Sequence, residues 1–307
     1  ASAPTPHGRS LKMIKPKLIF GTAQLMDGYG LNKSFLNYKE IEGMLDFAHK
    51  NKVEYIDTAF DYKNVYQKLG KFNLKSFKII SKLPKVNSNN NISIHDQING
   101  VIEKSLFQLK IDKIDTLLIH DLGDIEDNDK CLKIIEVLKN FKNNNVINKI
   151  GFSIYSPKIL RNFIDLSLID IVQAPLNLID QNLITSGYLK KLNTEKVEVN
   201  IRSIFLQGLL LISNKDYLNN NFGNWSKTWD KWFNFLEKGI PQISPTKLCL
   251  DFVRNIRGID KIVVGCNSQK EFEQILSIMN SEAIFDFPNI KLNDEQLIYP
   301  YNWKIYE

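Results

Sequence analysis

The 307-residue sequence is poor in the residues that build metal centres and disulfide frameworks, with three cysteines and four histidines. Cys131, Cys249 and Cys266 are odd in number and widely spaced, so they form neither a paired metal motif nor a disulfide set. A reducing cytoplasm is the expected setting. No apolar run approaches the ~20 residues that span a bilayer, so no membrane segment is expected. The basic excess is small, 40 Lys+Arg against 34 Asp+Glu for a net charge of +6, and it is spread along the chain. Without a basic run or stripe, a nucleic-acid surface is not expected. No Gly-x-Gly-x-x-Gly follows a strand, and Gly28 and Gly30 read as ordinary loop glycines. Residues 1–12 lack an apolar signal core and read as a leader, leaving 13–307 as a single domain that starts at Met13.

What the chain does hold is apolar material, 43% of its residues, in a regular alternation. Short apolar strands are predicted at Lys17–Gly21, Val53–Asp57, Lys78–Lys82, Ile114–His120, Lys149–Ser153, Ile169–Gln173, Val197–Ser203 and Lys261–Gly265. Between them lie amphipathic helices. Ile41, Met44, Leu45 and Ala48 recur at helical spacing, as do Ile98, Val101, Ile102, Leu106 and Leu109 behind Ser93 and Asp96 at capping-box spacing. Leu132, Ile135, Leu138 and Phe141 mark another stripe. Strands this uniformly apolar require burial on both faces, as in a parallel sheet. Eight of them with no linker favour a closed α/β barrel, the (β/α)8 TIM barrel, over an open doubly wound sheet. The Asn-rich patches Asn87–Asn91, Asn143–Asn145 and Asn219–Asn221 read as loops. The segment Leu206–Pro241, with Trp225, Trp229, Trp232 and Phe233, either covers the barrel mouth or packs locally.

Three strands end on reactive side chains: Asp57, Lys82 and His120, with Tyr62 on the loop after the second strand. In such a barrel the C-terminal strand ends build the active site. A phenol with a reference pKa near 10 is a weak acid at neutral pH. A neighbouring ammonium held by a carboxylate stabilises the phenolate and makes the phenol a usable proton donor to a carbonyl oxygen. Position alone leaves other readings open. A buried Asp–Lys pair is often structural, a strand-end His is often a satisfied core residue, and Lys82 could instead serve as a Schiff-base lysine.

The segment Asp57-Thr58-Ala59-x-x-Tyr62 with Leu69-Gly70 resembles the signature of the aldo-keto reductases. Ser81-Lys82, Leu118-Ile119-His120-Asp121, Gly151-Phe152-Ser153 and Gln173-Ala174-Pro175-Leu176-Asn177 resemble further family motifs, and the likeness runs from Gly21-Thr22-Ala23-Gln24 to Gly265. The resemblance implies a NAD(P)H-dependent reductase of aldehydes or ketones. It implies Tyr62 as general acid, Lys82 as the group that lowers its pKa, Asp57 as the partner of Lys82, and His120 as the group that orients the carbonyl. NADPH is the implied cofactor, with NADH as the alternative. The implied cofactor residues are Gly21, Thr22, Ala23, Asp57, Ser153, Gln173, Arg202, Ser203, Phe205, Gln207, Gly208, Gly265, Asn267 and Lys270.

Departures from the family pattern accompany it. Lys63 replaces a Gly, Tyr66 a Glu, and Ile154 the Asn after Ser153. Arg202 stands where an aromatic commonly stacks on the nicotinamide, in a run similar to some bacterial members. Glu271 stands where an Arg would bind a 2′-phosphate, which weighs toward NAD. These changes support a second reading, a cofactor- or metabolite-binding relative with weak or no turnover. The expected partner is a small-molecule carbonyl compound, and the resemblance to bacterial members points to a sugar-derived one. Tyr29, Trp225, Trp229, Tyr301 and Trp303 suit an apolar or sugar-like ring, and Arg202 suits a carboxylate or phosphate.

Overall fold

The eight apolar segments pair edge to edge in chain order. The computed structural model describes residues 16–31, 33, 35–87, 91–124, 128–161, 165–238 and 243–303. Its strands are β1 (Lys17–Gly21), β2 (Tyr55–Asp57), β3 (Lys78–Leu83), β4 (Ile114–Ile119), β5 (Ile147–Ser153), β6 (Ile171–Pro175), β7 (Glu198–Arg202) and β8 (Lys261–Gly265). All neighbours are parallel, and β8 pairs back to β1 to close the barrel. The helices are α1 (Tyr38–Lys50), α2 (Val65–Leu69), α3 (Ile94–Leu109), α4 (Asn128–Asn143), α5 (Asn182–Thr185), α6 (Tyr188–Thr194), α7 (Lys215–Asn221), α8 (Ser226–Lys238), α9 (Pro245–Arg254), α10 (Gln269–Asn280) and α11 (Glu295–Ile298). The expected leader, residues 1–12, and Met13 lie outside the described residues. No described helix is long and apolar enough to cross a membrane.

The strands are apolar on both faces because both are covered. Ile19, Ile80, Leu118 and Ile171 meet inside the barrel, with Tyr55 and Val263 against them. The alternate residues Phe20, Ile79, Leu117 and Val172 belong to the larger core under the helices. Below the inner layer, Glu198 accepts from Lys149 (2.5 Å) and Lys261, whose ammonium lies 4.7 Å from the Tyr55 ring centroid. This ion cluster fills the N-terminal end of the barrel, the end associated with stability. Gly151 lets β5 approach β6: a Cβ there would sit 1.9 Å from the Ile171 carbonyl oxygen.

Ser93 caps α3, accepting from the Asp96 N–H at 3.0 Å. Asp96 is too short for the reciprocal reach of a capping box and instead accepts from the Ser93 hydroxyl (2.8 Å). The full reciprocal box belongs to α1, between Asn37 and Glu40. On α4 the buried face is Cys131, Ile134, Ile135 and Leu138, and the predicted Leu132 is exposed. Asn219–Asn221 is not a loop but the last turn of α7, which Asn214 caps.

The segment after β7 packs locally. Trp229 and Trp232 are fully buried with Leu218 and Phe222 against Ile290, Leu297, Ile298, Tyr299 and Trp303. The indole N–H of Trp229 donates to the Phe222 carbonyl, and that of Trp303 to the Leu297 carbonyl, both at 2.9 Å. This second core ties the C-terminal tail to α7 and α8. Trp229 and Trp303 are therefore core residues and not a substrate wall.

Candidate active site

Strand periodicity carries one more inward-facing residue past the Ile19–Ile80–Leu118–Ile171 layer. Two residues beyond each inward position stand Gly21, Asp57, Lys82, His120, Gln173 and Gly265, all at the C-terminal mouth. Ser153 ends β5 in register with Gln173, and Arg202 ends β7 paired with Pro175, two residues beyond Gln173 on β6. The predicted residues are thus gathered on one end by pleat and register alone.

At the centre lies a buried ion pair. Lys82 Nζ donates to Asp57 Oδ1 at 2.6 Å and to the Thr58 carbonyl at 2.9 Å. The other carboxylate oxygen of Asp57 accepts from Gln173 Nε2 at 2.7 Å. Thr22 secures the same corner, its hydroxyl donating to the Asp57 carbonyl at 2.9 Å. The side chains of Lys82 and Asp57 are only 2% and 5% exposed, so each charge depends on the other. Burial holds the Lys82 pKa below its ordinary value, against the opposing pull of Asp57.

Tyr62 stands over this pair, half-buried, with the Lys82 ammonium 5.4 Å from its ring centroid. Burial pushes the phenol above its ordinary pKa, Asp57 adds to the rise, and Arg202 opposes it. Lys82 gives two of its three ammonium donors to Asp57 and Thr58, and among the described residues it makes no hydrogen bond to the phenol oxygen. The His120 ring meets Tyr62 edge-on at 6.1 Å between centroids, and its Nδ1 lies 3.5 Å from Asp61. Tyr66, the departure from a family Glu, is buried and hydrogen-bonded to Ser81.

The remaining predicted residues divide into two groups. Arg202 donates to the Ser203 hydroxyl and the Ile154 carbonyl, both at 3.2 Å, and lies 4.5 Å over the Tyr155 ring. Ser203, Gln207 and Gly208 all take positive φ in the turn after β7, which carries Phe205. Across the mouth, Gly21, Thr22 and Ala23 follow β1, next to Gly265. At α10, Glu271 occupies the helix start, accepting from the Asn267 backbone N–H at 2.7 Å, while Lys270 is exposed. Glu271 thus places a carboxylate where the resemblance implies a phosphate.

Tyr155 and Asp180 were missed. Tyr155 sits two residues past Ser153, so the strand period itself pointed to it. Asp180 is fixed by Asn177, whose side-chain oxygen accepts from its N–H at 2.8 Å. Burial raises its carboxyl to about 6, against hydrogen bonding from Asn182 and the charge of Arg202. An Asn-x-x-Asp turn is a common local motif and gave no functional signal.

Among the described residues no group of three His, Cys, Asp or Glu side chains is placed to hold a metal. Residues 17–286 match the Aldo/keto reductase family. The chain belongs to the aldo/keto reductase family. Its curated relative, the uncharacterized oxidoreductase YqkF of Bacillus subtilis (strain 168), is 23% identical over 193 residues, 61% of either chain. The match therefore spans under two thirds of that relative's length. Among solved structures, the aldo-keto reductase AKR11C1 of Bacillus halodurans, in its holo form, aligns with a TM-score of 0.69 at 16% identity, covering 89% of this chain and 93% of its own. The glycerol dehydrogenase AKR11B4 of Gluconobacter oxydans aligns with a TM-score of 0.65 at 17% identity, covering 89% and 91%. At such identities these two structures show the shared fold, while the family match supports oxidoreductase chemistry.

One feature of the aldo/keto reductase site fits a nicotinamide cofactor. Gln173 gives its amide nitrogen to Asp57, and its oxygen is buried without a partner among the described residues. A buried acceptor left open is costly and is satisfied by an incoming N–H donor such as a carboxamide.

Proposed function

We propose that the protein reduces an aldehyde or ketone with NADPH or NADH, with Tyr62 as the proton donor. The observation that carries this reading is the stack of Tyr62 over the buried Lys82–Asp57 pair, edge-on to His120. The phenol is protonated at neutral pH, yet burial holds its pKa above the ordinary value, contrary to the lowering that the resemblance implies, and the Arg202 charge opposes that rise. Asp57 fixes the Lys82 ammonium under the ring, where its charge favours the phenolate left after proton transfer. His120 orients the carbonyl oxygen toward the Tyr62 hydroxyl.

A bound nicotinamide supplies the hydride to the carbonyl carbon. Gln173 and Ser153 would hold its carboxamide. Gly21, Thr22, Ala23, Arg202, Ser203, Phe205, Gln207, Gly208 and Gly265 would line its seat, with Asn267 and Lys270 toward the adenosine. Glu271 weighs against a 2′-phosphate there and thus toward NADH. Three buried free thiols support a cytoplasmic setting. The second reading, binding without turnover, is favoured by one observation: the two hydrogen bonds of the Lys82 ammonium go to Asp57 and Thr58, and among the described residues none goes to the phenol.

Titration with NADPH and NADH, followed by nicotinamide fluorescence, tests the first requirement, and failure of both to bind sinks the reductase reading. With nitrobenzaldehyde as substrate, Tyr62→Phe is expected to lower kcat about 10²- to 10⁴-fold while cofactor affinity stays nearly unchanged. Full activity in Tyr62→Phe rules out the acid assignment. Cofactor binding without turnover in the native protein selects the second reading.

A further inference from the structure

A guanidinium beside the reacting phenol has donors to spare. Arg202 ends β7, half-buried, near enough to Tyr62 and Lys82 that its charge acts to lower the pKa of both. A guanidinium carries five N–H donors in a planar fork. Two hydrogen bonds account for its fixed contacts, to Ser203 and Ile154. Among the described residues no carboxylate oxygen comes within 4.0 Å of it. Asp57 is committed to Lys82 and Gln173. Asp180 feels the guanidinium, yet one of its oxygens accepts from the Asn182 N–H and neither reaches Arg202. Partly buried charges are ordinarily paired. This one is instead held against Tyr155, its centre 4.5 Å from the ring centroid, so that its orientation is set without using up its charge.

The wall beyond Arg202 is aromatic. Tyr155 meets Tyr301 edge-on at 5.3 Å and Tyr299 at 6.2 Å, and Tyr301 is 65% exposed at the rim.

We propose that Arg202 is a specificity-determining residue that receives the carboxylate of the substrate, making the preferred substrate a short oxo acid. The inference rests on the reductase reading of the same site. The carboxylate takes no part in bond changes: the carbonyl carbon gains a hydride, with a reduced nicotinamide dinucleotide as co-reactant, and the carbonyl oxygen gains the Tyr62 proton. A charge-assisted, bidentate pair fixes the carbonyl at one distance from the acid, which a lysine point charge does less well.

The test compares 4-oxobutanoate with butanal, which share a four-carbon aldehyde chain. The native protein is expected to favour the acid by roughly 10- to 100-fold in kcat/KM. In Arg202→Gln that ratio falls toward one, and in Arg202→Lys it is partly kept. Calorimetric titration of succinate, which cannot be reduced, gives a readout independent of turnover. It is expected to show binding to the native protein with NAD+ or NADP+ present, and loss of binding in Arg202→Gln. A native protein that does not discriminate between the aldehydes, or that does not bind succinate, overturns the proposal without any variant. If Arg202→Gln weakens cofactor binding but keeps the acid-to-neutral ratio, the guanidinium serves the dinucleotide and the proposal fails. If succinate binds through Arg202 while neither aldehyde is reduced, the reductase reading fails and the carboxylate site stands.

Discussion

Replacing Lys82 by Met removes one partner of an ion pair that has almost no access to water. The Asp57 carboxylate, 5% exposed, would keep only the Gln173 amide at 2.7 Å. Orphaning a buried charge in this way costs about 3–5 kcal/mol. The reverse deletion, Asp57→Asn, costs less, about 1–3 kcal/mol. Burial already lowers the Lys82 pKa, so a lysine deprived of its partner can become neutral. The double variant buries no charge, and its loss should fall short of the sum of the singles by about 1–3 kcal/mol. Urea unfolding at pH 7, followed by circular dichroism and tryptophan fluorescence, measures all three. A second signature lies in alkaline solution. With the folded pKa below 10.5, the unfolded chain binds more protons just under that pH, so this group makes stability rise as pH approaches 10.5. Lys82→Met should lose that slope. Single losses that add to within ~0.5 kcal/mol, or a Lys82→Met protein as stable as the native one, would refute the coupling.

Two further outcomes follow from charges near the mouth. Asp180 has its folded pKa raised from 3.8 to about 6, so the stability linked to it is fully present below 3.8 and lost as pH rises through 6. Asp180→Asn should therefore gain at most ~3 kcal/mol relative to the native protein between pH 4 and pH 7.5, and a mutational effect equal at both pH values would count against it. Glu271→Gln keeps a capping oxygen for the Asn267 N–H but removes the anion. NADPH affinity is expected to improve relative to NADH by about two- to fivefold, measured by fluorescence titration at low salt. Equal changes for the two cofactors would show that Glu271 does not face the 2′ position.

The barrel was legible because its signal is carried by whole strands. Lys17–Gly21 and Lys261–Gly265 have the predicted bounds, and the other six strands differ only at their ends. Burial on both faces demands an unbroken apolar run, and few other arrangements place eight such runs in one chain. The reactive strand ends were legible for the same reason: Asp57, Lys82, His120 and Gln173 interrupt those runs at inward positions where an apolar residue would otherwise stand. Side-chain choices between competing partners were not. Lys82 can reach a carboxylate, a carbonyl or a phenol, and only the folded geometry selects Asp57 and the Thr58 carbonyl.

The tryptophans of α8 show the converse limit. Their helical spacing states that one face is buried but not what covers it, and the cover comes from Ile290 to Trp303, distant in sequence. Tyr155 is the instructive omission, because it obeys the pleat yet lies just beyond the end of β5. Continuing an inward period past a strand end finds residues that a strand boundary hides. At β5 that extension passes from Ser153 to Tyr155, on which Arg202 rests. The same continuation thus leads from the barrel interior to the charge that would select the substrate.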